Sequence, residues 1–134
     1  MRFMSIVKSA EDYRQGPPPQ ALMEAIGRLS EEATKAGAMV DMGGLLPTAA
    51  GFRLRLAGGK LTVTDGPFSE AKEVIGGYAV FAVSSKEEAL EWGKRFMNLH
   101  KDHWPEWEGE AEVRQMFDGA GCDPNAVPCT PQQP

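Results

Sequence analysis

Nine consecutive residues, Ile75 to Val83 (IGGYAVFAV), carry no charge and set apolar side chains at both odd and even positions. Successive side chains of an extended chain point to opposite faces, so this segment is a strand that needs shielding on both sides. Arg2 to Lys8 (RFMSIVK) shares the property, with Met4 and Ile6 on one face and Phe3 and Val7 on the other. Any fold open to the chain must therefore cover two faces of a sheet.

The intervening segments say how much cover one chain can supply. Pro17-Pro18-Pro19 leads into a helix whose apolar stripe is Leu22, Ile26, Leu29 and Ala33, with Gly37 as its cap. Ala38 to Leu46 (AMVDMGGLL) reads as a strand interrupted at Gly43-Gly44, where a bulge or a close backbone approach is expected. Phe52, Leu54 and Leu56 alternate with Arg53 and Arg55, and after Gly58-Gly59 Leu61 and Val63 alternate with Thr62 and Thr64. That pattern predicts a hairpin with one wet face. Asp65-Gly66-Pro67-Phe68 closes it with a turn. Ser85 to Glu88 fits a capping box, and the helix behind it shows Ala89, Trp92, Gly93, Phe96 and Met97 on one face before Pro105 stops it. Glu110 to Phe117 is a last strand, with Ala111, Val113 and Phe117 opposite Glu110, Glu112 and Arg114. From Asp118 onward there are four prolines in seventeen residues and no Lys or Arg, the composition of a tail.

The order is β-α-β, a hairpin, then β-α-β. It predicts an α+β domain over residues 1–117, a ferredoxin-like antiparallel sheet with two helices on one face and an inserted hairpin, followed by a Pro-rich tail at 118–134. Two helices cover one face only. The other is predicted to be covered by a second copy, giving a homodimer with an interface on the order of 1,600 Å² or more.

Charge narrows the partners. Fourteen Lys plus Arg against nineteen Asp plus Glu give a net charge of −5, which disfavours nucleic acid and anionic membrane surfaces alike. No apolar run approaches the roughly 18 residues that span a bilayer. MRFMSIVKSAEDY lacks the long apolar segment of a signal peptide, which predicts a cytoplasmic protein. Cys122 and Cys129 both lie in the tail, so no disulfide framework is expected for the body.

Among residues able to do chemistry, Asp65 ends a strand, where a carboxylate stands at the mouth of the sheet and can act as general acid or base. The same Asp-Gly-Pro run is also good turn chemistry, its carboxylate bonding nearby backbone N–H groups. Tyr78 follows Gly76-Gly77, glycines that let a ligand or a backbone approach, and its hydroxyl can donate into a pocket or sit in a dimer interface. His100 and His103 share a face near a helix end, where an imidazole either titrates beside a carboxylate or complements the helix dipole. Phe68, which can also anchor the turn, joins Lys72 and Glu73 as the expected ligand-binding set, Lys72 pairing with an anion and Glu73 orienting it. His100, His103, Cys122 and Cys129 are the donor types of tetrahedral zinc, but H-x2-H followed by C-x6-C is no standard spacing, and neither metal nor cofactor is expected.

Residues 63–93, VTDGPFSEAKEVIGGYAVFAVSSKEEALEWG, carry a specific resemblance. The T-D-G-P-F turn, the acidic-Lys-Glu step, Gly-Gly-Tyr and the capped E-A-x-x-W helix resemble the DGPF branch of the YCII-related domain family, and the likeness extends from Met1 to about Phe117. The resemblance implies a dimeric α+β barrel. It also implies suspected enzymatic activity and, for some relatives, a link to extracytoplasmic-type sigma factors. YCII relatives are proposed to pair a His with an Asp beside the sheet; the first helix here contains no His, so the pairing would fall to His100 or His103. The expected function is binding of an unknown small organic molecule between sheet and hairpin, with isomerase- or lyase-type acid–base chemistry by Asp65 assisted by His100 and Tyr78. The alternative is a non-catalytic ligand-binding or protein-interaction module.

Overall fold

The structure, a computed structural model, describes residues 1–11 and 16–117. The Pro-rich segment 118–134, with Cys122 and Cys129 and hence the His/Cys zinc set, lies outside the described residues. Strand β1 (Arg2–Ser9) is followed by helix α1 (Gln20–Lys35), β2 (Met39–Gly44), the hairpin strands β3 (Phe52–Ala57) and β4 (Lys60–Asp65), β5 (Val74–Ala82), helix α2 (Lys86–His103) and β6 (Gly109–Gln115). Four of the strands form one antiparallel sheet in the order β2-β5-β1-β6, the ferredoxin-like arrangement of interleaved β-α-β units. Its two central strands, β5 and β1, are the two segments that are apolar on both faces.

Side-chain alternation then divides the sheet. Phe3 pairs with Phe81 and Ser5 with Ala79, and these residues face the helices. The core there is Phe3, Ala38, Phe81, Val83 and Ala89, with Met39, Ala79 and Trp92 packed against it. Helix α1 inserts Leu22, Ala25, Leu29 and Ala33, so Ala25 takes the core place that the sequence stripe gave to Ile26. Burial of Leu22, 1% exposed, stabilises the domain by about 1.5–3 kcal/mol. Gly37 adopts φ 72° and closes α1 with paired bonds, Gly37 N–H to Thr34 O and Ala38 N–H to Ala33 O. Ser85 caps α2 by accepting from Glu88 N–H, while the Glu88 carboxylate reaches back to Ser84 rather than to Ser85. A fork of two bonds from Arg95 to Glu32, 2.5 and 2.8 Å long, ties α2 to α1.

The opposite face carries Met4, Ile6, Tyr78, Val80 and Ala82, bordered by Lys8, Glu112 and Asp41. Neither helix covers it. Val80 is nevertheless 7% exposed within a single chain, so this face is less bare than its sequence suggests. The irregularity in β2 falls at Val40, between Met39 and Asp41, and not at Gly43-Gly44.

The hairpin is a separate two-stranded sheet. Gly58 and Gly59 both take positive φ, which suits a tight two-residue tip. Leu54 opposes Val63 and Leu56 opposes Leu61, so one face is apolar as expected, yet every residue of both strands is exposed. At its base, Gly66 N–H donates to Gly51 O and Phe68 N–H to Thr48 Oγ1. Thr48 is itself held by Glu11, whose carboxylate accepts from Thr48 N–H and Oγ1–H at 2.5 Å each.

Candidate functional site

The expected residues separate onto different parts of this frame. Tyr78, central in β5, projects from the open face of the sheet opposite Gly43 of β2. The pairing works because Gly43 has no side chain: a Cβ there would stand 2.9 Å from Tyr78 Cε1. The ring therefore lies over β2, and its hydroxyl donates to Asp41 Oδ2 at 3.3 Å. The Asp41 charge first, and burial second, hold the phenol above its ordinary value. A phenol kept protonated beside a carboxylate is a donor and an acceptor side by side, a pair able to orient a polar ligand and to pass it a proton. Across the same face, Lys8 bonds Glu112 Oε1 at 2.9 Å and approaches Glu110 at 3.6 Å. The Glu112 hydrogen bond raises the lysine's pKa and lowers that of Glu112.

His100 is elsewhere. It belongs to α2, which packs on the other face of the sheet, so the sheet itself stands between it and the Tyr78 side chain. The imidazole is 7% exposed, lies between Phe96 and Trp107, and donates from Nδ1 to the Phe96 carbonyl at 3.2 Å. Burial pushes its pKa down, with the Phe96 bond opposing in part.

Asp65 terminates β4 opposite Phe52, exposed and with no side-chain hydrogen bond or ion pair among the described residues. No bond joins it to Tyr78 or His100, so one chain does not assemble the Asp65–His100–Tyr78 trio. The reason is topological for His100 and Tyr78, which lie on opposite faces of one sheet, while Asp65 belongs to the separate two-stranded sheet. Phe68 is half-buried beneath Arg53, whose guanidinium sits 3.8 Å over its ring and pairs with Glu70. It acts as an anchor for the turn. Lys72 and Glu73 are exposed in the loop that follows, and neither forms an ion pair among the described residues.

Asp41 is the residue the sequence reading missed. Its signal was a lone carboxylate inside the otherwise uncharged run AMVDMGGLL, two positions before a glycine. Among the described residues no group of three or more His, Cys, Asp or Glu is arranged to hold a metal ion, and no helix is long and apolar enough to cross a membrane.

Comparison with known proteins identifies relatives of this sequence. An uncharacterized protein of Rhizobium meliloti (strain 1021) is 29% identical over 97 residues, covering 72% of this chain and 74% of that one. The family profile described as the YCII-related domain matches residues 1–108, which takes in both β-α units, the hairpin, the Gly43–Tyr78 contact and all of α2. The chain belongs to the YCII-related domain family.

Proposed function

We propose that this protein is a homodimer that binds a small organic molecule on the open face of its sheet, where Tyr78 and Asp41 supply acid–base capacity of the isomerase or lyase type. The observation that carries the reading is the Tyr78–Asp41 bond over Gly43, a polar pair set into the apolar face that the helices leave uncovered. Tyr78 keeps the role expected of it, and the carboxylate role passes from Asp65 to Asp41. Met4, Ile6 and Ala82 beside the pair supply the apolar surface that a second sheet would cover, as in a dimeric α+β barrel. The T-D-G-P-F run supports placing the chain in the DGPF branch of its family.

The test is a fragment screen by protein-observed NMR on the full chain, repeated on Tyr78→Phe and Asp41→Asn. Hits that perturb the Tyr78 and Gly43 signals in the wild type and weaken in both variants support the reading. Hits indifferent to both substitutions overturn it.

A second reading, a protein-interaction module with the sigma-factor link of some relatives, is favoured by one feature. Phe52, Leu54, Leu56, Leu61 and Val63 are all at least 60% exposed on the hairpin. A contiguous apolar strip of that kind marks a contact surface. Leu54→Asp would abolish partner capture under this reading and leave fragment binding at Tyr78 unchanged.

A further inference from the structure

On the helix side, where α2 ends and β6 begins, a cleft of about 310 Å³ is lined by Met97, His100, Lys101, Pro105, Trp107 and Glu108, with Gly109 at its edge. Its inner wall is fixed by packing. The His100 ring stands 4.9 Å from Phe96 and 4.4 Å from Trp107 between centroids. Trp107 is pinned in turn, because its indole occupies the volume that a Cβ on Gly109 would need. The Trp107 backbone N–H also bonds the Trp104 carbonyl at 3.0 Å.

The tautomer follows from the partner. A carbonyl oxygen only accepts, so the bond to Phe96 O places the proton on Nδ1, and in the neutral ring the lone pair is on Nε2. Nε2 has no hydrogen-bond partner among the described residues, and no buried side-chain nitrogen or oxygen there goes unsatisfied. Nε2 must therefore reach solvent, and the cleft is the space that His100 lines. Burial holds the imidazole below its ordinary 6.5, which keeps that lone pair free near neutral pH.

We propose that this cleft is a second small-molecule site, selective for a flat aromatic ligand bearing an N–H or O–H donor, which bonds His100 Nε2 while its ring packs against Trp107, Met97 and Pro105. The site is independent of the sheet-face reading, since His100 and the Tyr78 side chain lie on opposite faces of the sheet. An acceptor whose one available partner is solvent at the cleft is the feature that selects a donor, because an isostere without one displaces that solvent and leaves Nε2 desolvated and unpaired.

Indole and benzofuran provide the test, having the same bicyclic shape with and without the N–H donor. Binding to the full chain is followed by the long-range ¹H–¹⁵N spectrum of the imidazoles, which holds only two histidines, and by the Trp107 side-chain N–H signal. Indole is expected to shift Nε2 saturably and to bind roughly tenfold more tightly than benzofuran, the worth of one hydrogen bond. His100→Phe, which keeps a flat ring against Trp107, should erase that preference, and Tyr78→Phe should leave it intact. Should His100→Phe fail to fold, the wild-type ¹⁵N spectrum and the indole-to-benzofuran ratio decide alone. Equal affinities, no saturable shift, a preference surviving in a folded His100→Phe, or a proton found on Nε2 would each overturn the proposal.

Discussion

The Tyr78 ring lies flat enough over Gly43 that its hydroxyl reaches Asp41 on the same strand as that glycine. This arrangement makes the phenol's titration a report on the site. With its pKa raised above the ordinary 10.0, the folded state keeps a proton that the unfolded state releases. The stabilisation is therefore complete below pH 10 and is lost as pH rises through the folded value. In a Tyr13→Phe background, which leaves one tyrosine, Asp41→Asn should lower the midpoint of phenolate absorbance toward 10. A midpoint unmoved by the substitution would mean that the two groups are uncoupled in solution.

The base of the hairpin has no room for a side chain. A Cβ on Gly66 would overlap the Thr48 carbonyl, and Thr48 cannot yield because Glu11 holds both its N–H and its hydroxyl. Gly66→Ala is expected to cost at least about 2 kcal/mol, in the range of substitutions that collide with backbone. Urea unfolding checks this through a lower midpoint at unchanged slope. A loss within about 0.5 kcal/mol, typical of unconstrained surface positions, would contradict the packing.

Acid should weaken the fold through His100. Its folded pKa lies below the unfolded 6.5, so between the two values the unfolded chain binds the extra proton. Stability is present above 6.5 and falls as pH drops below it, by no more than about 1.4 kcal/mol per pH unit from this one group. His100→Gln should flatten the stability profile between neutral pH and the onset of carboxylate protonation. His103→Gln serves as the control, and an equal flattening there would refute the assignment to His100.

The two uncovered surfaces predict opposite outcomes for assembly. Ile6→Asp places a charge in the middle of the open sheet face and should convert a dimer, twice the 14.6 kDa chain mass, into a monomer by light scattering. Leu54→Asp on the hairpin should leave the dimer intact. If only the hairpin variant dissociates, the subunits meet through the hairpin and the open face is a groove of one chain.

Much of this frame was legible in the sequence because hydrophobic period and capping chemistry act locally. The doubly apolar strands became the central pair, Gly37 and Ser85 capped their helices, and Gly58-Gly59 made the hairpin tip. What eluded a one-dimensional reading were relationships set by the third dimension. Ala25 and Ile26 stand three and four residues after Leu22, so each can extend the Leu22–Leu29–Ala33 stripe, and packing against the sheet buries Ala25 fully and Ile26 only in part. The shift at Val40 determines which β2 side chains reach the open face, and with it the presence of Asp41 beside Tyr78. His100 shares a plausible chemistry with Asp65, but a sheet lies between α2 and the face where a base would be useful. Conversely, alternation in the hairpin foretold its apolar strip and could not say whether the rest of the chain would cover it.

The hairpin has one more implication, for those who would build on this domain. Its tip, Gly58-Gly59, is the far end of a ribbon whose strand backbones pair with each other and whose anchoring contacts, at Thr48 and Gly66 and from Arg53 to Glu70 and Phe68, lie toward the opposite end. A loop spliced between those glycines would be displayed at the end of the ribbon opposite its anchors at Thr48 and Gly66. The ribbon, exposed along its whole length, is thus a natural mast for an epitope or a fluorophore.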